Sequence, residues 1–174
     1  MSKENLVDLI LNDNASFEEY KKQNENIEIS EADFAHAHIE GIDLSNIDFT
    51  GSTFQEANLV NIKFIDCDLT SVDFSRANVS ECDFSGSIMN GTSFNYATVN
   101  YSNFSDADMA GANFSEADLS DSDFSTCENL DSCRFDESTV WPDNDKLPED
   151  FDCTYNYDLS TLRDDEEEQQ NSDY

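Results

Sequence analysis

The sequence predicts an all-β fold in which short strands coil on themselves about a four-sided core, and three observations carry the coil. A bulky apolar residue returns at every fifth position from Phe34 to Phe124 without a miss, through nineteen units. Two residues before each stands a small or short apolar residue, from Ala32 and Ala37 through Cys67 and Ser87 to Ala117 and Ser122. The two positions after the bulky residue favour Ser, Thr, Asn and Gly, as in Ser45-Asn46 and Ser85-Gly86, types that turn a chain at low cost. A period of five is neither the 3.6 of a helix nor the 2 of a plain strand, so the pattern is an array of short units.

With the bulky position called i, residues i−2 and i are apolar and i−1 is mostly polar, the alternation of a short extended segment. Each unit is a short strand and a corner bending always the same way, with apolar side chains inside. The core residues Phe54, Phe64, Phe74, Phe84, Phe94, Phe104, Phe114 and Phe124 recur every ten positions, with Leu, Val or Met between them. A period of two units requires an even number of sides, and a two-sided coil has little interior. Four sides, about twenty residues per turn, let Phe fill two opposite walls and medium aliphatics the other two without voids. Only at Leu44 and Phe49 do the two sizes trade places.

Segments such as Ala57-Asn58-Leu59, Ala112-Asn113-Phe114 and Ala117-Asp118-Leu119-Ser120 resemble the A(D/N)LXX motif of the pentapeptide-repeat family, and the match spans about 95 of the 174 residues. The resemblance implies a right-handed quadrilateral β-helix, here of about five coils. It also implies a precedent for function, since some members act as DNA mimics that occupy the DNA-binding saddle of DNA gyrase, a type II topoisomerase.

The elements follow in order. Residues 1–30 are expected to form a helical N-terminal cap. Leu6, Leu9 and Ile10 make a helical stripe, Asn14 and Ala15 break it, and Ser16-Phe17-Glu18-Glu19 reads as a capping box opening a second helix with Phe17 and Tyr20 inward. An open β-helix end exposes unpaired strand edges, and covering it is the expected task of this segment. Residues 31–140 form the repeat domain. Residues 141–174 are expected to be a C-terminal cap and a disordered acidic tail. The register slips at Asn129, so Leu130 and Phe135 resume one residue late; Trp141 then closes over the last coil, and Leu147, Phe151 and Tyr155 are placed to pack across that end. The run from Asp164 onward has nothing to bury.

On the coil surface, residues twenty apart stack. Asp48, Asp68, Asp108 and Glu128 share one ladder, interrupted by Ile88; Asp43, Asp83 and Asp123 share another, interrupted by Lys63 and Asn103. From Glu31 to Glu128, 18 acids face only Lys63 and Arg76. Spread over a rod of about 24 Å, that is roughly one net negative charge per 1.5 Å, close to duplex DNA. Between Asp83 and Asp106 there is no charged residue, and Ile88, Tyr96 and Tyr101 occupy outward positions in that band. Arg76 is expected to stack on Tyr96. Either the two tyrosines lie flat against neighbouring coils, or they form an exposed patch ringed by acids, the sort of surface that binds a protein.

Composition narrows the functions. Eight Lys and Arg against 40 Asp and Glu give a net charge of −32, which repels nucleic acid and anionic membranes. No apolar stretch approaches a membrane span, and Met1-Ser2-Lys3-Glu4 is not the basic start of a signal peptide, so a cytoplasmic protein is expected. Cys67, Cys82 and Cys127 fall at i−2 positions, with Cys133 joining them after the slip; they read as small buried hydrophobes, not as disulfides or zinc ligands. The only histidines, His36 and His38, point outward, and the Asp pairs lie on convex walls where nothing desolvates them. No catalytic set, no metal site and no cofactor is therefore expected. Two readings remain: a non-catalytic protein-interaction module or scaffold, monomeric or dimerised end to end, and a DNA mimic that engages gyrase or another DNA-binding protein. The partner-binding candidates are Asp43, Asp48, Asp68, Asp83, Asp108, Asp123, Tyr96 and Tyr101.

Overall fold

A computed structural model describes residues 1–153. Two helices, α1 (Lys3–Asn12) and α2 (Asn14–Gln23), precede β1 (Ile27–Glu28), β2 (His38–Glu40), β3 (Ile47–Asp48), β4 (Asn58–Val60), β5 (Asn78–Ser80) and β6 (Thr98–Asn100). Every strand pairing is parallel and joins residues twenty apart, as in Ile27 with Ile47 and Leu59 with Val79. Single bridges continue the same spacing and resolve the fold into four walls. Wall 1 climbs through Asp33, Thr53, Asp73, Ser93 and Asn113; wall 2 is the sheet β2-β4-β5-β6 extended to Asp118. Wall 3 runs through Asp43, Lys63, Asp83, Asn103 and Asp123, and wall 4 through β1, β3, Asp68, Ile88, Asp108 and Glu128. This is a parallel β-helix.

The interior follows the five-residue pattern. Each bulky residue from Phe34 to Phe124 is buried. Wall 1 contributes one phenylalanine stack, with Phe54–Phe74 and Phe74–Phe94 centroids 5.1 and 4.9 Å apart and nearly parallel. Wall 3 contributes the opposite stack, with Phe64–Phe84 and Phe84–Phe104 at 5.0 and 4.9 Å. The stacks meet edge to face across the core, as at Phe74–Phe84, 5.9 Å and 83°. Phe49 leaves both stacks for wall 4 and packs edge-on against Phe34, Phe54 and Phe64, filling the space that Leu44 leaves.

Three local devices build each unit. At i−2, a buried hydroxyl bridges turns where the backbone cannot: Ser52 accepts from Ala32 N–H at 3.0 Å and donates to the Ile29 carbonyl at 2.9 Å. Ser87 serves the Cys67 N–H and the Phe64 carbonyl in the same way. At i−1, an Asp or Asn side chain accepts from the N–H two residues on, fixing the corner; Asp73 takes Ser75 N–H at 2.8 Å and Asn113 takes Ser115 N–H at 3.1 Å. At i+2 every corner from His36 to Glu116 lies in the left-handed region, which favours glycine. Gly86 suits its corner, at φ +68° with the Asp66 carboxylate of the preceding turn lying where a Cβ would be.

The helices sit against the first turn, where Leu6, Ile10 and Phe17 join the same buried cluster as Ile29 and Phe34. Asp13, not Ser16, starts α2: its carboxylate accepts from Ser16 N–H at 3.1 Å while its own N–H closes α1 onto the Leu9 carbonyl. One short Asp thus ends one helix and caps the next, so the break falls ahead of Asn14. Polar side chains of this segment engage the outer edge of the first turn. Lys3 donates to the Ser30 carbonyl at 3.0 Å, Lys21 to the Asp43 carbonyl at 2.8 Å, and Glu18 accepts from Asp43 N–H at 3.2 Å. Ala37 is only half-buried.

At the other end the ladder slips by one and then two residues, pairing Asn113 with Arg134 and Asp118 with Val140. Asn129 takes a left-handed conformation before a 3-10 turn, Leu130–Ser132, and Leu130, Cys133 and Phe135 return to the core. Trp141 packs edge-on against Phe114, Phe124, Phe135 and Phe151, and Leu147 is buried. The expected packing of Tyr155 and the acidic run from Asp164 lie outside the described residues.

Candidate functional site

The surface divides by wall, and the division follows from where each unit's i−1 and i+2 residues land. Walls 3 and 4 are adjacent and hold the acidic ladders. Asp43, Asp83 and Asp123 stand on wall 3, and Asp48, Asp68, Asp108 and Glu128 on wall 4. Their carboxylates are not simple displays. Asp43, Asp48, Asp68, Asp83, Asp108 and Asp123 each accept the N–H two residues on, at 2.8–3.2 Å. The sequence pattern hid this role, because an outward alternation does not reveal that one carboxylate oxygen turns back to its own corner. Asp43 is bound further, by Lys21 at 2.6 Å. Partial burial opposes its ionisation, yet the Lys21 ammonium and the Ser45 N–H outweigh it and hold the carboxyl at about 2.

Wall 2 is different in kind. Its middle strands carry Asn58, Val60, Asn78, Ser80, Thr98 and Asn100 outward, with an amide ladder in which Asn78 donates to Asn58 at 2.9 Å, between His38 and Glu40 on β2 and Asp118 beyond β6. Tyr96 stands at the corner shared with wall 1 and Tyr101 at the corner shared with wall 3, so the two tyrosines frame strand β6. They are exposed, 48% for Tyr96 and 66% for Tyr101. Arg76 stacks over Tyr96 with its guanidinium carbon 4.7 Å from the ring centroid. The Glu116 carboxylate, hydrogen-bonded to the Tyr96 hydroxyl, raises that phenol's pKa. Ile88 is exposed too, but it bridges Asp68 and Asp108 on wall 4, across the coil from wall 2. The uncharged band of sequence is therefore a belt around the rod, and only its tyrosines share a face.

The remaining candidates are structural. Burial pushes the Cys67, Cys127 and Cys133 thiols up to about 12 and Cys82 to about 11. Cys67 and Cys133 each donate to a carbonyl of the preceding turn, Leu44 and Met109, at 3.1 Å. His36 lies 3.3 Å from Glu56 on an exposed corner. Among the described residues, no group of His, Cys, Asp or Glu is arranged to hold a metal ion, and no helix is long and apolar enough to cross a membrane.

Comparison with known proteins gives a consistent picture. A family described as "Pentapeptide repeat region" matches residues 58–135, and "Pentapeptide repeats (8 copies)" matches residues 28–64. The crystal structure of Rfr23, a pentapeptide repeat protein from the cyanobacterium Cyanothece 51142, superposes with a TM-score of 0.65 at 16% identity, over 80% of this chain and 99% of that one. A pentapeptide repeat protein from the Arabidopsis thaliana thylakoid lumen gives 0.43 at 24% identity, over 52% and 66%. HetL from the cyanobacterium Nostoc, a protein involved in heterocyst differentiation regulation, gives 0.36 at 20% identity, over 63% and 54%. No curated protein matches the sequence.

Proposed function

The chain belongs to the pentapeptide-repeat family, and from that premise we propose that it is a non-catalytic protein-interaction module whose binding face is wall 2 with Tyr96 and Tyr101. The observation that carries this reading is the pair of tyrosines, exposed side chains at φ +60° and +53°. A bulky L-residue in that region costs about 1–2 kcal/mol relative to the right-handed one. Five other corners hold glycine instead. The tyrosines thus stand exposed beside β4, β5 and β6, strands without a charged side chain, in the arrangement of an interface centre with a charged rim. The helices α1 and α2, by occupying the first edge, keep the rod from joining end to end there.

The test is capture from cell lysate by the immobilised protein against its Tyr96→Ala/Tyr101→Ala double variant. A partner retained by the first and lost by the second, at low and moderate salt alike, supports the reading. An identical captured set retires it.

The acidic walls 3 and 4 support the second reading, a DNA mimic that engages gyrase or another DNA-binding protein. Dose-dependent inhibition of gyrase supercoiling that collapses as salt rises is its expected signature. The corner-fixing bonds of the same carboxylates give the acids a reason to be there without a partner, which is why this reading stands second.

A further inference from the structure

Tyr96 and Tyr101 occupy the same position in consecutive units, at two successive corners, so the repeat itself supplies a comparison of their surroundings. At the first corner, the residue one rung before Tyr96 is Arg76, whose N–H donates to the Asn95 carbonyl at 2.8 Å and whose guanidinium covers the ring. At the second corner the residue in that place is Glu81, whose N–H makes the equivalent bond to the Asn100 carbonyl at 3.0 Å. One rung beyond Tyr101 comes Asp121, and on wall 3 beside it Asp83 and Asp123 stand above and below the neutral Asn103. Among the described residues, none of Glu81, Asp83, Asp121 and Asp123 is in an ion pair. Lys146 reaches this corner at the Asp121 backbone carbonyl, 3.1 Å away.

The first corner holds an aromatic ring, a cation on its face and an acid at its hydroxyl. The second holds a more exposed ring and four carboxylates, with an acid where the cation belongs. We propose that the corner around Tyr101 receives an arginine side chain of the partner protein, which takes on Tyr101 the place that Arg76 takes on Tyr96. This rests on the interaction-module reading and names the chemistry of the partner. Arginine fits better than lysine because its guanidinium is planar, weakly hydrated, stacks on an aromatic face and forks onto carboxylates while stacked. The neighbouring carboxylates lie within about two rungs of roughly 4.8 Å, inside the screening length, so they act together on one cation.

Fluorescence anisotropy of a labelled peptide of alternating glycine and arginine, titrated with the full chain at physiological salt, tests this without knowledge of the partner. The arginine peptide is expected to bind more tightly than its lysine counterpart, and Tyr101→Ala is expected to weaken it by about 2–5-fold, the size of an exposed cation–π contact. Glu81→Arg, which rebuilds the occupied corner, should weaken it at least as much. Tyr101→Phe should keep the affinity, since the ring face is retained. Equal binding of the two peptides, or wild-type affinity in Tyr101→Ala, overturns the proposal. If lysate capture still depends on the tyrosines while the arginine peptide does not bind, the interaction reading stands and this inference alone fails.

Discussion

Inside the coil, the Phe54–Phe74–Phe94 stack repeats one side chain with centroids 5.1 and 4.9 Å apart, whereas the corner column beside it changes over the same rungs from Glu56 to Arg76 to Tyr96. Both columns obey the same twenty-residue register. The interior allows no variation in size without a void or a clash, because each ring is packed by its neighbours above, below and across. A corner is constrained in its backbone and open toward solvent, so the conformation is fixed and the side chain is not. Identity at such a corner therefore reports on something other than folding.

Phe84→Ala breaks the comparison most severely. It is expected to lower stability by about 3–5 kcal/mol in urea denaturation, against no more than about 0.5 kcal/mol for Tyr101→Ala. Similar losses at the two positions would mean that the inward and outward assignments are wrong.

The buried thiols sharpen it next. With Cys82 raised to about 11 and Cys67, Cys127 and Cys133 to about 12, the native state keeps protons that the unfolded chain releases near its ordinary thiol value. Stability should therefore hold up to about pH 9 and fall as pH rises toward about 12. At neutral pH a thiol reagent should titrate one cysteine, the exposed Cys153, in the native protein and all five after denaturation. More than one native thiol would place a cysteine outside the core.

A smaller effect separates the corner-fixing role of the acids from display of charge. Asp73→Ala is expected to cost about 1–2 kcal/mol through the lost bond to Ser75 N–H. Asp73→Asn should be nearly neutral, because Asn103 and Asn113 make the same bond at 3.0 and 3.1 Å. Equal costs for both would assign the stability to charge. The smallest change is Tyr101→Gly, where release of the left-handed strain slightly exceeds the entropy that glycine adds to the unfolded chain, a gain of about 0.5 kcal/mol in thermal denaturation.

Much of the architecture was legible because a solenoid's long-range contacts are periodic. Residues twenty apart in sequence are neighbours in space, so the exchange of Leu44 and Phe49 and the slip at Asn129 were readable without coordinates. The site was less so. A run of uncharged sequence looks like one patch, yet successive units face successive walls, and Ile88 was carried to the side away from Tyr96 and Tyr101. The acids at i−1 read as outward display, and their bonds to the N–H two residues on needed a backbone before they could be seen. The start of α2 was misplaced because Asp13 serves two helices at once, a sharing that no single helix pattern predicts.

The five-residue period by itself determined the inward residues, and the ten-residue return of phenylalanine pointed to four sides, because every unit must bury its apolar face against its neighbours; the quadrilateral β-helix came from the family resemblance. Only the tertiary structure decided how far each tyrosine stands clear of the coil and which carboxylates turn back to hold a corner. Those outcomes depend on side-chain neighbours one rung away and on hydrogen bonds of a few ångströms, and periodicity places such neighbours without saying how they meet.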